Sequence, residues 1–530
     1  MSLLLFRVSC VTVVFVSLAF SNADAQQPPP VKRPNVLLIV ADDMHWNSPG
    51  CFGGTVEAVT PSIDRLADEG MRFWHAHVNV AVCTPSRSVM LTGLYPQHSG
   101  AEGFQRIRPG TPTLPAILNQ AGYLTGTIGK PLGQQELFRW SVSYRWQGAG
   151  DENRWGRDPA TYRRFTRSFL EMAKTSGQPF FLMASSHDPH RPFGGGAVAR
   201  GRPGKAHDER AKPSRIYQPT EVTVPGFLPD IPDVRREVAE YFSSVRRFDD
   251  TVGAILDELH KSGFDNNTIV VFLSDHGMPF PFAKTNCYPQ STRTPLIVRW
   301  PGQVKPGEVD REHMVSGIDL LPTILEAVKV PANRWTTSYG GAAPPQLRKT
   351  PFDGRSFLPI LQGQKQAGRD CVFTQFNHIH GRQPYPMRCV LTKHAAYIFN
   401  PWSNGSRTYR AEPLSGRSYR AMKQAGGKDD TIAARVRHLE QRTVEELYDR
   451  KTDPDCLKNR VGSADYQQHL SELRSRLRAW LAETKDSTLP AFDRRNDAAA
   501  LEQFMQRYLE RAQRQMQQRR IYEEANGYRF

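Results

Sequence analysis

Four short apolar runs in this chain each stop at residues that carry charge or a titratable ring. Asn35–Ala41 ends at Asp42-Asp43, and Tyr123–Ile128 ends at Gly129-Lys130. Pro179–Ser186 ends at His187-Asp188-Pro189-His190, and Thr268–Leu273 ends at Ser274-Asp275-His276. A continuous apolar run of this length fits a strand buried on both faces of a parallel sheet. The carboxyl ends of such strands are where open α/β sheets bind ligands. Helical patterns fall between the runs. One opens at Thr60-Pro61, closes at Gly70 and turns Ile63, Leu66 and Ala67 inward. Others cover Ser86–Leu91, Thr113–Ala121, Asp233–Lys261 and Val315–Val328, and Leu296–Trp300 reads as one more strand. The alternation predicts an α/β fold, a mostly parallel sheet with helices on both faces.

After Phe352–Leu361 the pattern changes. Cys371–Phe373, Cys389–Leu391 and Ala396–Phe399 are short strand-like runs, and Leu470, Leu473 and Leu477 share a helix face. This predicts a smaller C-terminal subdomain of antiparallel sheet and helix. The expected organisation is a leader over 1–25, a catalytic domain over 33–370, the subdomain over 371–489 and a basic, Gln-rich helical tail over 490–530, where Leu501, Phe504, Tyr508 and Ala512 keep helical spacing. The leader has Arg7, an apolar stretch over Val11–Phe20 and a small-x-small Ala23-Asp24-Ala25, the marks of a secretory signal. No later run is long enough to span a bilayer. The expectation is an exported protein, periplasmic, secreted or in a lysosome-like compartment, and not an integral membrane protein.

Seven cysteines include Cys10 in the leader, Cys83, and an odd set of five, Cys51, Cys287, Cys371, Cys389 and Cys456, whose pairing spacing leaves open. The net charge is +16, with a local cluster at Arg200, Arg202, Lys205, Arg210, Lys212 and Arg215. A basic face attracts polyanions. In an exported protein that points to anionic polysaccharide rather than nucleic acid.

Cys83-Thr84-Pro85-Ser86-Arg87, followed by Thr92-Gly93, reads C-x-P-x-R with a later T-G pair. This resembles the signature of type I sulfatases, in which the cysteine is oxidised to formylglycine by a formylglycine-generating enzyme. A helix beginning just after Cys83 would aim its positive end at an anion there. Asp42, Asp43 and Asp275 are hard oxygen donors, suited to calcium or magnesium. The resemblance implies an alkaline phosphatase-like fold and a Ca²⁺ site (Mg²⁺ as the alternative) on Asp42, Asp43, Cys83, Asp275 and His276. It implies a formylglycine gem-diol that attacks sulfur, and a covalent sulfo-enzyme intermediate. Arg87 matches the arginine that steadies the formylglycine, Lys130 and Lys284 match cations on the sulfate, and His187 matches the acid for the leaving group. One position departs: the family has a histidine two residues after the lysine, and this chain has Leu132.

His187-Asp-Pro-His-Arg191, Pro279-Phe-Pro281, Thr285-Asn286 and Tyr385-Pro-Met-Arg388 resemble the branch of the family that removes N-linked sulfate from terminal N-sulfoglucosamine of heparan-type chains. Glu446-Leu-Tyr-Asp449 with Asp453-Pro454 fits the family's ending more generally. His378, His380 and Arg388 are then candidate sugar contacts, and a homodimer is one candidate assembly. The alternatives are an O-sulfatase on another polysaccharide, a phosphatase or phosphonate hydrolase of the same superfamily, and a sulfate- or glycan-binding pseudoenzyme. The last is motivated by Leu132.

Overall fold

The computed structural model describes residues 33–130, 135–145, 156–194, 211–331, 352–379 and 383–525. The leader over 1–25 and the basic residues Arg200, Arg202, Lys205 and Arg210 lie outside them. Eight strands form one sheet: β1 (Asn35–Asp42), β2 (Met71–His77), β3 (Leu124–Gly129), β4 (Val142–Arg145), β5 (Phe180–Pro189), β6 (Thr268–Ser274), β7 (Leu296–Arg299) and β8 (Glu308–Ser316). Their order is β4-β3-β5-β1-β6-β7-β2-β8. All neighbours pair parallel except at β7, which runs against both β6 and β2.

The alternation along β1 explains the sheet's position. Leu37, Ile39 and Ala41 belong to the apolar core on one face, and Val36, Leu38 and Val40 to the core on the other. A strand apolar on both sides is stable only with helices over each. On the first side the helix Pro232–Lys261 buries Val234, Val238, Tyr241, Val245, Phe248, Val252, Ile255 and Leu259 at three- and four-residue steps. The other side packs Leu320, Leu321, Ile324 and Leu325, which come from a helix over Leu320–Ala327.

That last helix is shorter than its expected span over Val315–Val328. Val315 and Ser316 instead end β8, because the Ser316 and Asp319 side chains form a capping box that starts the helical turns only after Ser316. The helix at the signature differs the other way. It spans Cys83–Thr92, so it begins at Cys83 itself. Pro85 is tolerated because first-turn N–H groups have no intrahelical acceptor.

The second sheet has four antiparallel strands in the order β12-β11-β10-β9: β9 (Cys371–Phe376), β10 (Met387–Thr392), β11 (Ala395–Phe399) and β12 (Glu445–Asp449). The helix Gln467–Glu483 buries Leu470, Leu473, Leu477, Trp480 and Leu481 and packs on β10 and β11. The C-terminal helix Ala498–Ala525 buries Leu501, Phe504, Met505, Tyr508 and Ala512, and its Arg511 guanidinium reaches Glu102 at 2.8 Å. Residues Pro34–Phe530 form one compact unit. The six cysteines of the described residues are all free. No helix of the described residues is long and apolar enough to cross a membrane.

Candidate active site

Strands β3, β5, β1 and β6 are adjacent, and the four polar clusters lie side by side at their carboxyl ends. Asp42 is the last residue of β1 and Asp43 follows it with φ 71°, in the left-handed region that an Asp occupies at some cost. Its neighbours hold it there. The Asp43 N–H donates to Asp275 Oδ1 at 3.1 Å, the Met44 N–H to Ser274 Oγ at 2.9 Å, and the Asp275 N–H to Ala41 O at 3.1 Å. The turn therefore points both Asp43 and Asp275 into one buried space.

Cys83 enters this space from the first turn of its helix. The side-chain ligand atoms of Asp42, Cys83 and His276 lie within 4.8 Å of one another, as do those of Asp42, Asp43, Asp275 and His276. Cys83 is 9% exposed and the other four residues are buried. Asp42 Oδ1, Asp43 Oδ1 and His276 Nε2 have no hydrogen-bond partner among the described residues although each is buried. His276 Nδ1 is 3.0 Å from the Gly277 carbonyl, so that nitrogen carries the proton and Nε2 faces Asp43 Oδ1 at 3.2 Å. Unpaired buried acceptors that converge are the observation a divalent cation would explain. The donor set, mostly carboxylate oxygen with one imidazole, fits calcium or magnesium.

Electrostatics around the cluster are those of a packed ion lattice. Arg87 Nε donates to Asp275 Oδ2 at 2.9 Å, and its Nη2 lies 4.0 Å from Asp42 Oδ1. Lys130 Nζ donates to Asp42 Oδ2. Lys284 Nζ lies 2.9 Å from Asp43 Oδ2 and 2.8 Å from Glu412 Oε2. Burial alone would push the Asp42 carboxyl up, but Lys130, His190, Arg87 and Lys284 overcome it and hold it well below the usual range. Burial disfavours the charged form of Lys284, and Asp43 and Glu412 reverse that to keep it charged. Burial likewise opposes protonation of His276, and Asp275 and Asp43 override it, raising the ring to about 9. A cation in the cluster would replace that proton.

His187 sits at the end of β5 with a buried, unpartnered Nε2. Burial first, then the positive charges of Lys130 and Arg157, push it well below its ordinary value. The strand end carrying it is anchored by Asp188, which is buried against Arg157 and receives Arg247 Nε at 2.6 Å and Nη2 at 2.8 Å.

The predicted sugar contacts fare differently. Arg388 is 1% exposed; its Nε donates to Asp486 Oδ2 at 2.7 Å and its Nη1 to Asn377 Oδ1 at 2.9 Å. This corrects the expected role, because a guanidinium so enclosed ties β10 to the segment after the Gln467–Glu483 helix and leaves a sugar no access. His378 is also buried, with its Nε2 2.7 Å from Gln105 Nε2. His380 and Leu132 lie outside the described residues. Two site residues were not expected. His190 Nε2 lies 3.8 Å from Asp43 Oδ2 and 3.7 Å from Glu412 Oε1, and Glu412 closes the ring at Lys284. His190 was within reach of sequence reading, in the cluster that ends β5. Glu412 had no signal: it opens a short 3-10 turn, Glu412–Ser415, far along the chain.

The family comparison agrees with this geometry. Residues 34–330 match the model described as Sulfatase, more than half of the chain. The chain belongs to the sulfatase family. Residues 275–397 of this sulfatase also match the model of the N-sulphoglucosamine sulphohydrolase C-terminal region. Human N-sulphoglucosamine sulphohydrolase is 32% identical over 87% of this chain and 92% of its own length. An ulvan-active sulfatase of Formosa agariphila is 26% identical over 87% and 76% respectively. Among solved structures, a protein in complex with its substrate D-glucosamine-2-N,6-O-disulfate has a TM-score of 0.61 at 20% identity, covering 86% of this chain and 99% of that one. A 2-O GAG sulfatase has the same TM-score and identity, covering 86% and 93%. The fold is that of these neighbours, and the protein is a sulfuric ester or sulfamate hydrolase that acts on sulfated glycans.

Proposed function

We propose that this sulfatase removes the N-linked sulfate of terminal N-sulfoglucosamine in heparan-type saccharides: R–NH–SO₃⁻ + H₂O → R–NH₃⁺ + SO₄²⁻. The observation that carries the substrate choice is the match of residues 275–397 to the N-sulphoglucosamine sulphohydrolase region, because that span contributes Asp275, His276 and Lys284 to the cluster.

Asp42, Asp43, Asp275, His276 and the residue at 83 would hold a calcium ion. Formylglycine at 83 together with that ion would supply the nucleophilic oxygen for attack on sulfur. The remaining chemistry belongs to the chain's own side chains. Arg87 fixes Asp275, Lys130 fixes Asp42, and Lys130 and Lys284 offset the negative charge of the sulfo group. His187 Nε2 gives its proton to the departing nitrogen. The negative charge of a bound sulfamate would raise that imidazole from its depressed value, so substrate charge itself favours the protonated acid.

The reading extends to an exported protein that is modified at Cys83 by a formylglycine-generating enzyme. It also divides the chain into a catalytic part over 33–370, a subdomain over 371–489 and a tail over 490–530. The test is co-expression with the generating enzyme, mass analysis of the peptide that contains Cys83, and sulfate release from N-sulfoglucosamine beside glucosamine 6-sulfate. Release from the N-sulfated sugar alone is expected. Release from the O-sulfated sugar alone overturns the substrate, and turnover with an unmodified thiol overturns the chemistry. Leu132 favours one second reading, a sulfate-binding protein without turnover. Binding of both sugars to the modified chain with release from neither would establish it.

A further inference from the structure

A cavity of about 400 Å³ lies between the loop after β1, the end of β2, the segment before β7 and two turns of the small sheet, and it shares no lining residue with the candidate active site. Its volume is that of a small-ligand pocket. Its walls carry more cations than acids: Lys393 and Arg450, both from turns of the small sheet, line it together with Arg293 against the one carboxylate Asp455, and none of the three cations makes an ion pair among the described residues. Arg450 Nη1 donates only to the Thr392 carbonyl, at 2.6 Å. Arg293 is 9% exposed and donates through Nε and Nη2 to the Trp74 carbonyl, leaving Nη1 without a partner among the described residues. Its guanidinium lies 3.4 Å over the Trp46 ring, and Arg311 lies 4.0 Å over Trp74. Aromatic faces thus attract cations here, and no carboxylate forms an ion pair with Lys393, Arg450 or Arg293 among the described residues. Burial, and then Arg450 and Arg311, push Arg293 down to about 8. The single acid in the wall, Asp455, is raised by burial and by Asp453, which favours its neutral form.

The same cavity has an unmet need of opposite sense. Gln290 is 5% exposed, its Nε2 donates to Pro454 O at 3.4 Å, and its Oε1 has no partner. Nδ1 of His45, also 5% exposed, is likewise unpaired. A bare inorganic anion would answer the cations and leave the amide oxygen unsatisfied. A molecule with an oxyanion at one end and O–H or N–H donors at the other would answer both.

We propose that this cavity is a second saccharide site, binding an anionic sugar unit whose sulfate or carboxylate lies against Lys393, Arg450 and Arg293 and whose hydroxyl donates to Gln290 Oε1. It does not depend on which sulfate the active site cleaves. The experiment is calorimetric titration of the full chain carrying Cys83→Ala, which stops turnover, with N-sulfoglucosamine, glucosamine and sodium sulfate as separate probes. The expected result is a second binding event for the sulfated sugar that Lys393→Gln with Arg450→Gln weakens by about tenfold or more. In the otherwise native enzyme the same pair leaves turnover of the monosaccharide unchanged. Lys393→Gln alone is a control for folding, since that partly exposed amine makes no hydrogen bond or ion pair among the described residues, and it is expected to weaken the second event in the same sense. A single binding event, or a second one indifferent to both substitutions, overturns the proposal. Sodium sulfate binding as tightly as the sulfated sugar overturns the saccharide assignment.

Discussion

At the scale of single residues, the candidate site works by opposed pulls on titration, and the sign of the pull on His187 sets its pH profile. His187 is held below 6.5 by burial, Lys130 and Arg157. An acid is competent only when protonated, and its protonated fraction falls as pH rises. The kcat/KM profile for N-sulfoglucosamine should therefore peak below about pH 6.5 and decline on the alkaline side. His187→Gln should lower kcat and remove that alkaline decline; a Gln variant with the parent profile would show that another group is the acid. Asp275 accepts from both Arg87 and the Asp43 N–H. Asp275→Asn should reduce calcium affinity by at least about tenfold, read by calcium titration, with sulfate release lost at metal concentrations that saturate the parent. An unchanged calcium isotherm would place the ion elsewhere.

At the scale of elements, Arg388 shows how a motif reading can name the right segment and the wrong job. Its pairing with Asp486 joins the small sheet to the segment after its covering helix, and breaking a buried pair by removing one partner costs about 3–5 kcal/mol. Arg388→Met should lower the melting temperature by several degrees, read by thermal denaturation, while KM for the sugar stays within about twofold. A KM rise without loss of stability would restore the sugar contact. The strands most readable in the sequence were β1 and β6, whose unbroken apolar runs follow from burial on both faces. β2, Met71-Arg-Phe-Trp-His-Ala-His77, was hidden because Arg and His interrupt it; Arg72 spends its charge on the Cys51 carbonyl at 2.7 Å. β12 was hidden by its acids, since Glu446 is neutralised by the nearby Arg442 at 2.7 Å but Glu445 by Arg474 at 2.7 Å, a partner from another element that no local pattern reveals. The carboxylates and Cys83 were legible because each ends a strand or starts a helix in a recognisable motif. Glu412 reaches Lys284 only through the tertiary fold.

At the scale of the whole molecule, acid is the condition to which this fold is most exposed. Burial first, with neighbouring arginines, pushes His45 and His75 each down to about 3, and His77 is lowered in the same way. A histidine depressed in the folded state binds fewer protons there than in the unfolded chain. The contribution of these rings to stability is therefore full above about 6.5 and declines as pH falls from 6.5 towards 3, with a slope of up to about 1.4 kcal/mol per pH unit for each such ring. Melting temperature measured in steps from pH 7 to pH 4 should fall monotonically, and His77→Asn should flatten the curve. A pH-independent melting temperature would contradict the buried neutral state.

The lattice of Asp42, Asp43 and Asp275 against Arg87, Lys130 and Lys284 has a further consequence. One oxygen of Asp42 and one of Asp43 already face a fixed positive charge while the other is open, so a lone calcium ion would meet carboxylates partly neutralised, and a lone sulfate would meet the ammonium groups in the same condition. Each visitor releases the partner the other needs. The two should then bind as a cooperative pair, and the coupling is reciprocal: whatever factor calcium adds to sulfate affinity, sulfate must add to calcium affinity. An enzyme built this way would hold a metal loosely between turnovers and firmly while substrate is present.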